Sequence, residues 1–482
     1  MTPGPRAASL RVALGLGLAV AAITAIGIPA HATYSARTSG DEPQYLLTAI
    51  SLAHDGDLDI SDELAAQDYR PFHAIRVDPQ TLPLDDGSEI SPHDPLLPAL
   101  LAAPMGAGGW AAAKAALALF AGATAAVTWW VCVARFGVGA RLAAAVVGAF
   151  ALSAPLAVYA TQVYPEIPAA LATVIAVGAL TGIGVSDRAT VRHIAVASVA
   201  IVCLPWLGVK YLPVACALAA SLGWRLRADR HRLVWSALAL AAAAVTYIGA
   251  HRLLYGGWTV YATGDHFVDT GELSVIGTDP DYVGRSRRLL GLLVDRGFGL
   301  AAWAPAILAA VPAMAALARR RPAGTDALVG PVLAAWLTAT FVALTMHGWW
   351  WPGRQVVVIV PLLVIAVAWW ADRWISSGAR RSQLAILGVA LVLGSATWVW
   401  TTIEAVTRRR ALIVDFEQTA NPWYRLWHSA LPDGAHPTLR DDVLTTAWWV
   451  VIAVAACWGW RSVVRPRCSR LTAQEVLPMD LG

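Results

Sequence analysis

Long apolar stretches alternate with short polar loops along almost the whole chain. A helix that crosses a lipid bilayer needs about 20 mostly apolar residues, and stretches of that kind recur from one terminus to the other. The predicted spans are residues 10–30, 108–132, 142–160, 167–184, 191–206, 209–223, 233–252, 298–317, 327–346, 354–371, 383–402 and 445–463. The pattern predicts an all-α polytopic membrane protein with about 12 transmembrane helices.

Composition narrows the class of protein. Hydrophobic residues make up 57% of the 482 residues and charged residues only 14%, whereas soluble domains carry about 25% charged residues. These fractions exclude a water-soluble fold and leave too little polar sequence for a separate soluble domain. The net charge of +4 marks loop orientation, so no nucleic-acid partner is predicted. The five cysteines show neither a disulfide framework nor a metal-binding spacing.

Arginine is concentrated in every second loop. These loops contain Arg6 and Arg11, Arg135 and Arg141, Arg188 and Arg192, Arg225 to Arg232, Arg319 to Arg321, Arg373 to Arg381, and Arg461 to Arg470. By the positive-inside rule they are cytoplasmic, which places both termini inside. The loops predicted to face outward are 31–93, the turn Tyr164-Pro165-Glu166, the stretch around Lys210, 253–297, 347–353 and 403–444.

Two features of this topology allow another interpretation. Pro205-Trp206-Leu207-Gly208 leaves almost no loop between the fifth and sixth spans, but merging them would put the later arginine loops outside, so two helices are predicted. At the N-terminus, Arg6 and Arg11, an apolar run and Ala30-His31-Ala32 resemble a signal peptide with its cleavage site. The run is long for a signal peptide, which favours an uncleaved first helix. Either choice leaves Asp41 outside.

The first outer loop is strongly acidic. Its acidic residues are Asp41, Glu42, Asp55, Asp57, Asp59, Asp62, Glu63, Asp68, Asp78, Asp85, Asp86 and Glu89, against Arg37, Arg70 and Arg76. The alternating Asp55, Asp57 and Asp59 are not an EF-hand, because Ile60 stands where that loop needs glycine and Ala66 where it needs glutamate. A solvated acidic loop is predicted for this stretch.

Asp41-Glu42-Pro43 opens a segment with apolar residues at mixed helical spacing. Those residues are Leu46, Leu47, Ile50 and Leu52. They predict a short amphipathic, juxtamembrane helix lying on the outer surface. Asp41 is expected to cap this helix, with Pro43 in its first turn, to act in chemistry, or to do both.

Other polar groups on the outer side are candidates for function, because the bilayer penalises them unless they line a cavity. His93 and Asp94 precede the apolar run 96–100, which predicts a segment dipping back toward the membrane surface. Glu166, in the turn with Tyr164, is suited to orienting a sugar hydroxyl. For Asp94 and Glu166 the alternative is capping of the helix that follows.

Cationic candidates are few on the outer side. The chain has only two lysines, Lys114 and Lys210, and most of its arginines lie in the loops predicted to be cytoplasmic. Lys210 lies between apolar runs, where a lipid phosphate is a suitable partner and snorkelling to headgroups is the alternative. Arg354 follows His347 and a tryptophan-rich turn. An aromatic belt explains the tryptophans but not Arg354, whose planar fork can bind an oxyanion at two points.

In their order along the chain, these motifs resemble the GT-C superfamily of membrane glycosyltransferases, in the family 39-like branch of protein O-mannosyltransferases and lipid A aminoarabinose transferases. Asp41-Glu42 matches an Asp-Glu pair after the first helix. His93-Asp94-Pro95 matches a His-Pro-Pro or Lys-Pro-Pro stretch, with aspartate replacing the first proline. Lys210 and Arg354 match a mid-chain lysine and an arginine opening a late helix, and residues 295–300 resemble a pattern in related bacterial proteins.

The resemblance covers about the first 370 residues. It divides the chain into a GT-C-like transmembrane domain at 1–402, which includes the outer loop 31–93, an outer loop at 403–444, and a last helix with a basic cytoplasmic tail at 445–482. The large soluble C-terminal domain of some relatives is missing, and 403–444 is too small to replace it.

Inverting transfer of a hexosyl or pentosyl group is the activity that the resemblance implies. The donor is a polyprenyl-phosphate sugar, and the acceptor is a glycan, lipid or protein at the outer face. An acceptor hydroxyl needs a base, and a departing phosphate needs positive charge. The implied roles are catalysis for Asp41 and Glu42, donor-phosphate binding for Lys210, Arg354 and His347, and sugar or acceptor binding for His93, Asp94, Tyr164 and Glu166. No cofactor or metal is predicted, although Asp41 and His93 leave a metal site open as an alternative.

The main rival function is a transporter or flippase of a lipid-linked or anionic solute, since many transporters have twelve spans with both ends inside. Transporters often show internal repeats and charges near the bilayer midplane. Here no convincing repeat is found, and the unusual charges cluster on the outer side. The second rival is a noncatalytic membrane scaffold, which binding of polyprenyl phosphate would distinguish.

Overall fold

The computed structural model describes residues 5–77, 79–80, 83–84, 87–183, 187–260, 262, 280–343 and 345–462, without the side chains of 5–9 and 187–189. Asp78, Asp85 and Asp86, the side chains of Arg6 and Arg188, and the basic tail from residue 463 onward lie outside the described residues. Within the described ranges the regular structure is helical. Backbone pairing there is limited to two isolated bridges, Ala36 with His73 and Asp59 with Ile90.

Nineteen α-helices follow one another within the described ranges. They are α1 (Pro5–Thr24), α2 (Glu42–His54), α3 (Ser61–Ala66), α4 (Leu96–Ala134), α5 (Ala140–Ala151), α6 (Leu156–Tyr159), α7 (Glu166–Leu180), α8 (Asp187–Leu207), α9 (Leu212–Leu226), α10 (Arg230–Tyr255), α11 (Tyr282–Ser286), α12 (Arg288–Val294), α13 (Leu300–Trp303), α14 (Ala310–Arg320), α15 (Thr325–Leu337), α16 (Val360–Ser376), α17 (Arg381–Val406), α18 (Pro422–Trp427) and α19 (Leu439–Ser462).

Eight helical segments of the described chain are long and apolar enough to cross a membrane. They are Leu10–Gly27, Leu96–Ala134, Thr190–Leu207, Arg230–Tyr255, Thr325–Val342, Arg354–Ser376, Arg381–Val406 and Leu439–Ser462. The chain is therefore a multi-pass, all-helical membrane protein. Four predicted spans, 142–160, 167–184, 209–223 and 298–317, correspond to shorter or interrupted helices, so the count of about 12 stays a prediction.

The helices differ in how much protein surrounds them. In α16, every residue from Val360 to Ala371 is buried. By contrast, α10 and α17 expose large apolar side chains, including Leu253 at 88% and Ile386 at 71%. Apolar side chains left uncovered on long apolar helices are suited to contact with lipid.

The predicted break between the fifth and sixth spans coincides with a break between two helices. Helix α8 ends at Leu207 and α9 begins at Leu212, with a 3-10 turn, Val209–Tyr211, between them. Helix α9, with 15 residues, is not among the helices long enough to cross a membrane, so two separate spans stay a prediction here.

The arginine-bearing loops contact one another, as the alternation requires. Arg225 Nη2 lies 2.6 Å from Asp326 Oδ1, which joins the last turn of α9 to the start of α15. Arg373 Nη2 donates to the Phe136 carbonyl at 3.0 Å, and Asp372 Oδ1 accepts from the Gly139 N–H at 3.0 Å. These contacts join the loop between α4 and α5 to the end of α16.

The predicted helix after Asp41 is present, but it does not lie on an open surface. In α2 all residues from Glu42 to Ser51 are buried, the polar ones included, and the helix packs against α4. The prediction that one side of α2 faces water is wrong, because its polar side chains are buried and form hydrogen bonds within the protein. Thr48 Oγ1, for example, donates to the Gln44 carbonyl at 2.9 Å. The following segment, 96–100, starts α4, which bends at Gly108 and Gly109, so its predicted dip toward the membrane surface stays a prediction.

Candidate active site

Glu166 bridges the two cations that the sequence singles out. Its Oε1 accepts from Lys210 Nζ at 2.5 Å and from Arg354 Nε at 3.0 Å. A second nitrogen of the same guanidinium reaches Asp41, with Arg354 Nη2 at 2.8 Å from Asp41 Oδ2. Four residues from four loops, all predicted to lie on one side of the membrane, thus form one charged cluster: Asp41, Glu166, Lys210 and Arg354.

Each member of the charged cluster stands at a helix boundary. Asp41 directly precedes α2, and Glu166 is the first residue of α7, where the positive end of the helix dipole favours a carboxylate. Lys210 lies in the 3-10 turn between α8 and α9. Arg354 follows Gly353, whose φ of +83° turns the chain in a conformation that favours glycine.

Asp41 is held by the arginine and not by its own helix. It occupies the N-cap position of α2, but its side chain makes no capping hydrogen bond. Burial opposes its ionisation, yet the charge of Arg354, with further contributions from His93 and Lys210, outweighs burial and lowers the pKa of Asp41 to about 2. Its side chain is 24% exposed, so a substrate can reach it.

Aromatic rings fix the arginine. The Arg354 guanidinium carbon lies 4.2 Å from the ring centre of Tyr164 and 5.0 Å from that of Trp350, in the range of cation–π contacts. Tyr164 OH donates to the Ser39 carbonyl at 3.0 Å. Tyr164, predicted to bind sugar or acceptor, is thus buried beneath Arg354, with its hydroxyl bonded to the protein.

Glu42 differs from its neighbour Asp41. It is fully buried, and its Oε2 accepts from the Ser39 N–H at 2.7 Å while Oε1 accepts from the Val163 N–H at 2.6 Å. Burial raises the pKa of the Glu42 carboxyl. The carboxyl ties the chain before α2 to the turn before α7, and so holds Asp41 and Glu166 in register.

His93 and Asp94, predicted as a pair, face different partners. His93 stacks on Tyr45 with ring centres 4.6 Å apart, and burial lowers the pKa of its ring. Asp94 Oδ1 accepts from Tyr247 OH at 3.0 Å and lies 3.0 Å from His251 Nε2, both on α10. Pro95, not Asp94, occupies the N-cap of α4. Asp94 Oδ2 also accepts from the Val209 N–H at 3.1 Å, in the turn that carries Lys210, so both residues border the charged cluster.

His347 lies in a neighbouring loop and makes no described contact with Lys210 or Arg354. Its ring packs edge-on against Phe298, with centres 4.8 Å apart. The 295–300 motif folds around Asp295, whose Oδ1 accepts from the N–H groups of Gly297 and Phe298 and whose Oδ2 accepts from Gly434 at 2.8 Å. The motif thus joins the start of α13 to the loop between α17 and α19.

Two buried residues near the cluster had no assigned role in the sequence. Lys114 Nζ donates to the Arg37 carbonyl at 2.6 Å, and its positive charge acts on Glu42. Because Lys114 is one of only two lysines in the chain, its position within an apolar run could have marked it as a buried cation that needs a partner. Tyr211 OH is buried without a hydrogen-bond partner among the described residues, and the charges of Glu166 and Arg354 act on it. Nothing in the sequence distinguished Tyr211 from other interfacial tyrosines.

An apolar groove of about 150 Å³ adjoins Lys210. It lies between α8, α9 and α10, and its lining includes Pro205, Trp206, Leu212 and Ala215, the residues that flank the 3-10 turn carrying Lys210. A charged headgroup at Lys210 could thus continue into an apolar chain along these helices.

No family model matches the sequence, and no curated protein matches it. The chain is similar to the solved structure of ArnT from Cupriavidus metallidurans bound to undecaprenyl phosphate, with 13% identity over 93% of this chain and 77% of that chain and a TM-score of 0.48. It is also similar to an Archaeoglobus fulgidus oligosaccharyltransferase in complex with Zn and sulfate, with 14% identity over 87% of this chain and 58% of that chain and a TM-score of 0.47. For the oligosaccharyltransferase AglB from Archaeoglobus fulgidus with an inhibitory peptide and a dolichol-phosphate, the identity is 14% over 88% of this chain and 61% of that chain, and the TM-score is 0.41.

Identities of 13–14% with TM-scores below 0.5 concern the fold at most. Substrates and site residues are not transferable to this chain at that level.

Proposed function

We propose that the chain is an inverting glycosyltransferase that moves a sugar from a polyprenyl-phosphate donor to a cell-envelope acceptor on the outer face of the membrane. The observation that carries this proposal is the charged cluster itself. A partly exposed carboxylate, Asp41, pairs with the guanidinium of Arg354, and Arg354 and Lys210 share the carboxylate of Glu166.

The reaction makes separate demands on the two ends of the cluster. The acceptor oxygen attacks the anomeric carbon from the face opposite the phosphate, its proton goes to the Asp41 carboxylate, and the bond from that carbon to the phosphate oxygen breaks. The phosphate leaves with one more negative charge than it had in the donor. Lys210 and Arg354 therefore stabilise the transition state more than the bound donor, which is the condition for catalysis.

Donor binding also changes the base. In the resting cluster Asp41 is a weak base, because the charge of Arg354 holds its pKa at about 2. A donor phosphate that draws the guanidinium toward itself weakens this pairing and lets the pKa of Asp41 rise toward its ordinary value. The base thus gains proton affinity when the leaving group is in place. His93, next to Asp41, is the residue best placed to contact acceptor or sugar.

The test of this function uses the purified chain in lipid vesicles with a polyprenyl-phosphate sugar labelled in the sugar. We expect the label to leave the lipid and appear on an added membrane-fraction acceptor, with one polyprenyl phosphate released per sugar transferred. Movement of intact labelled lipid between leaflets without bond cleavage would support a flippase instead. Absence of both, without binding of polyprenyl phosphate, would support a scaffold.

The groove beside Lys210 predicts a dependence on the length of the donor lipid. Ala215→Phe places a ring in the groove, so we expect the KM for a long-chain donor to rise about tenfold, or about 1.4 kcal/mol. A donor with a two-isoprene chain should be affected little. The measurement is KM as a function of chain length.

Leu238→Phe is the matched control, because Leu238 on α10 is 54% exposed and does not line the groove. An equal rise in KM for short and long donors in Ala215→Phe would show that the groove does not hold the lipid tail.

A further inference from the structure

The five acidic residues between Asp55 and Glu63 fall into two groups. Two of them hold the turn after α2: Asp57 Oδ1 accepts from Ser51 Oγ at 2.9 Å and from the Asp59 N–H at 3.1 Å. Asp59 Oδ1 in turn accepts from the N–H groups of Ser61 at 3.0 Å and Glu89 at 2.8 Å. The carboxylates of Asp57 and Asp59 therefore hold the backbone of this turn in place.

The second group is Asp55, Asp62 and Glu63. Each contributes a carboxylate oxygen, and these oxygens lie within 4.8 Å of one another. In the described part of the chain, no other group of three or more His, Cys, Asp and Glu side chains is arranged in this way. Three ionised carboxylates at such distances repel one another, and this repulsion is relieved when a cation or a proton binds between them.

Glu63 points to a ligand independently of the clustering. It is only 3% exposed, and its Oε2 has no hydrogen-bond partner among the described residues. A buried carboxylate oxygen without a partner has lost its hydration, and no hydrogen bond or ion pair offsets the free energy of that desolvation. Asp55 and Asp62 are exposed, so an ion from solution can reach the position that would satisfy Glu63.

We propose that Asp55, Asp62 and Glu63 bind a hard divalent cation, with Ca²⁺ as the preferred ion, which joins the end of α2 to the start of α3. Three carboxylates and no nitrogen or sulfur donor form the ligand set of a hard cation. Ca–O distances of about 2.3–2.6 Å and an irregular coordination sphere completed by water suit this spacing, whereas Mg²⁺ demands a tighter octahedron. Asp55 also caps the C-terminus of α2, where the helix dipole favours positive charge.

The proposed cation site is separate from the charged cluster. Helix α2 has 13 residues and so spans about 20 Å, with Asp41 before its first residue and Asp55 after its last. A cation at Asp55 would therefore steady the far end of the helix without touching the reacting groups. The proposal stands whether or not the chain transfers sugars.

Calcium binding to the detergent-purified full chain, stripped of metal with EDTA, tests the proposal by isothermal titration calorimetry and thermal unfolding. We expect one Ca²⁺ per chain, with a Kd of about 10⁻⁴–10⁻³ M as in extracellular calcium sites, and a higher Tm in the presence of Ca²⁺. Glu63→Gln and Asp55→Asn should each weaken binding at least about tenfold. Asp68→Asn, which removes the same charge from an exposed position of the loop, should bind like the wild type.

Absence of saturable Ca²⁺ binding by the wild-type chain would overturn the proposal. So would equal affinities of Asp55→Asn and Asp68→Asn. Asp55 is exposed, so its substitution is compatible with folding, and this pair of variants decides the outcome even where Glu63→Gln fails to fold.

Discussion

Asp41→Asn is expected to lower the rate of sugar transfer by about 10²–10⁴-fold, the contribution of a positioned general base, while the chain still folds and binds donor. Asparagine keeps an oxygen that can accept from Arg354 Nη2, which Asp41 now does at 2.8 Å. It cannot take the acceptor proton. The measurement is single-turnover transfer in vesicles with donor in excess, alongside equilibrium binding of polyprenyl phosphate.

Asp68→Asn again provides the matched control, since it makes the same change at an exposed position. A second readout is the pH dependence of unfolding. Because the folded pKa of Asp41 is about 2, below the ordinary value of about 3.9, its pairing stabilises the protein above about pH 4 and is lost as the pH falls toward 2. The Tm difference between wild type and Asp41→Asn should shrink over that interval. Transfer at the wild-type rate by the variant would remove Asp41 as the base.

Arg354→Ala is expected to combine the largest loss of stability with the largest loss of donor use. It leaves Glu166, which is fully buried, with Lys210 alone, and removing one partner of a buried ion pair costs about 3–5 kcal/mol. It also removes the two-point grip on the leaving phosphate. We expect a clear fall in Tm and a rise in donor KM of about 10²-fold or more, which is about 2.7 kcal/mol. Thermal unfolding and initial rates against donor concentration measure the two effects.

A double variant separates these two effects. Arg354→Ala leaves two carboxylates, Asp41 and Glu166, against Lys210 alone. Glu166→Gln restores one carboxylate to one cation, so the double variant should recover much of the lost Tm. Donor KM should not recover, because the phosphate still lacks its arginine. Recovery of both together would mean that Arg354 serves only to hold Glu166 in place.

The proximity of Asp41, Lys210 and Arg354 could be predicted, because it depends on the alternation of loop charges along the sequence. Loop charges alternate along the chain, so residues far apart in sequence are assigned to one end of the bundle before any packing is known. The separation of α8 from α9 followed from the same rule. Lys210 and Arg354 stood out because a cation at an apolar boundary is rare enough to require a partner.

Which partner each residue takes could not be predicted, because partners come from helices whose packing the sequence does not specify. Asp94 faces His251 on α10, 157 positions away, and Glu42 accepts from Val163, 121 positions away. Both looked as available as Asp41. The burial of α2 escaped prediction for the same reason, since a polar side chain satisfied by protein and one satisfied by water look alike in a sequence.

The resting cluster contains two carboxylates and two cations, so their formal charges cancel. Clefts that steer charged ligands through water do so with an excess of one sign, and this cluster has none. Free anions such as inorganic phosphate should therefore gain little by entering from solution. A lipid-linked donor of the kind proposed needs no such attraction, because its tail already confines it to the bilayer. Selection at this site would then rest on the route of arrival as much as on the headgroup that arrives.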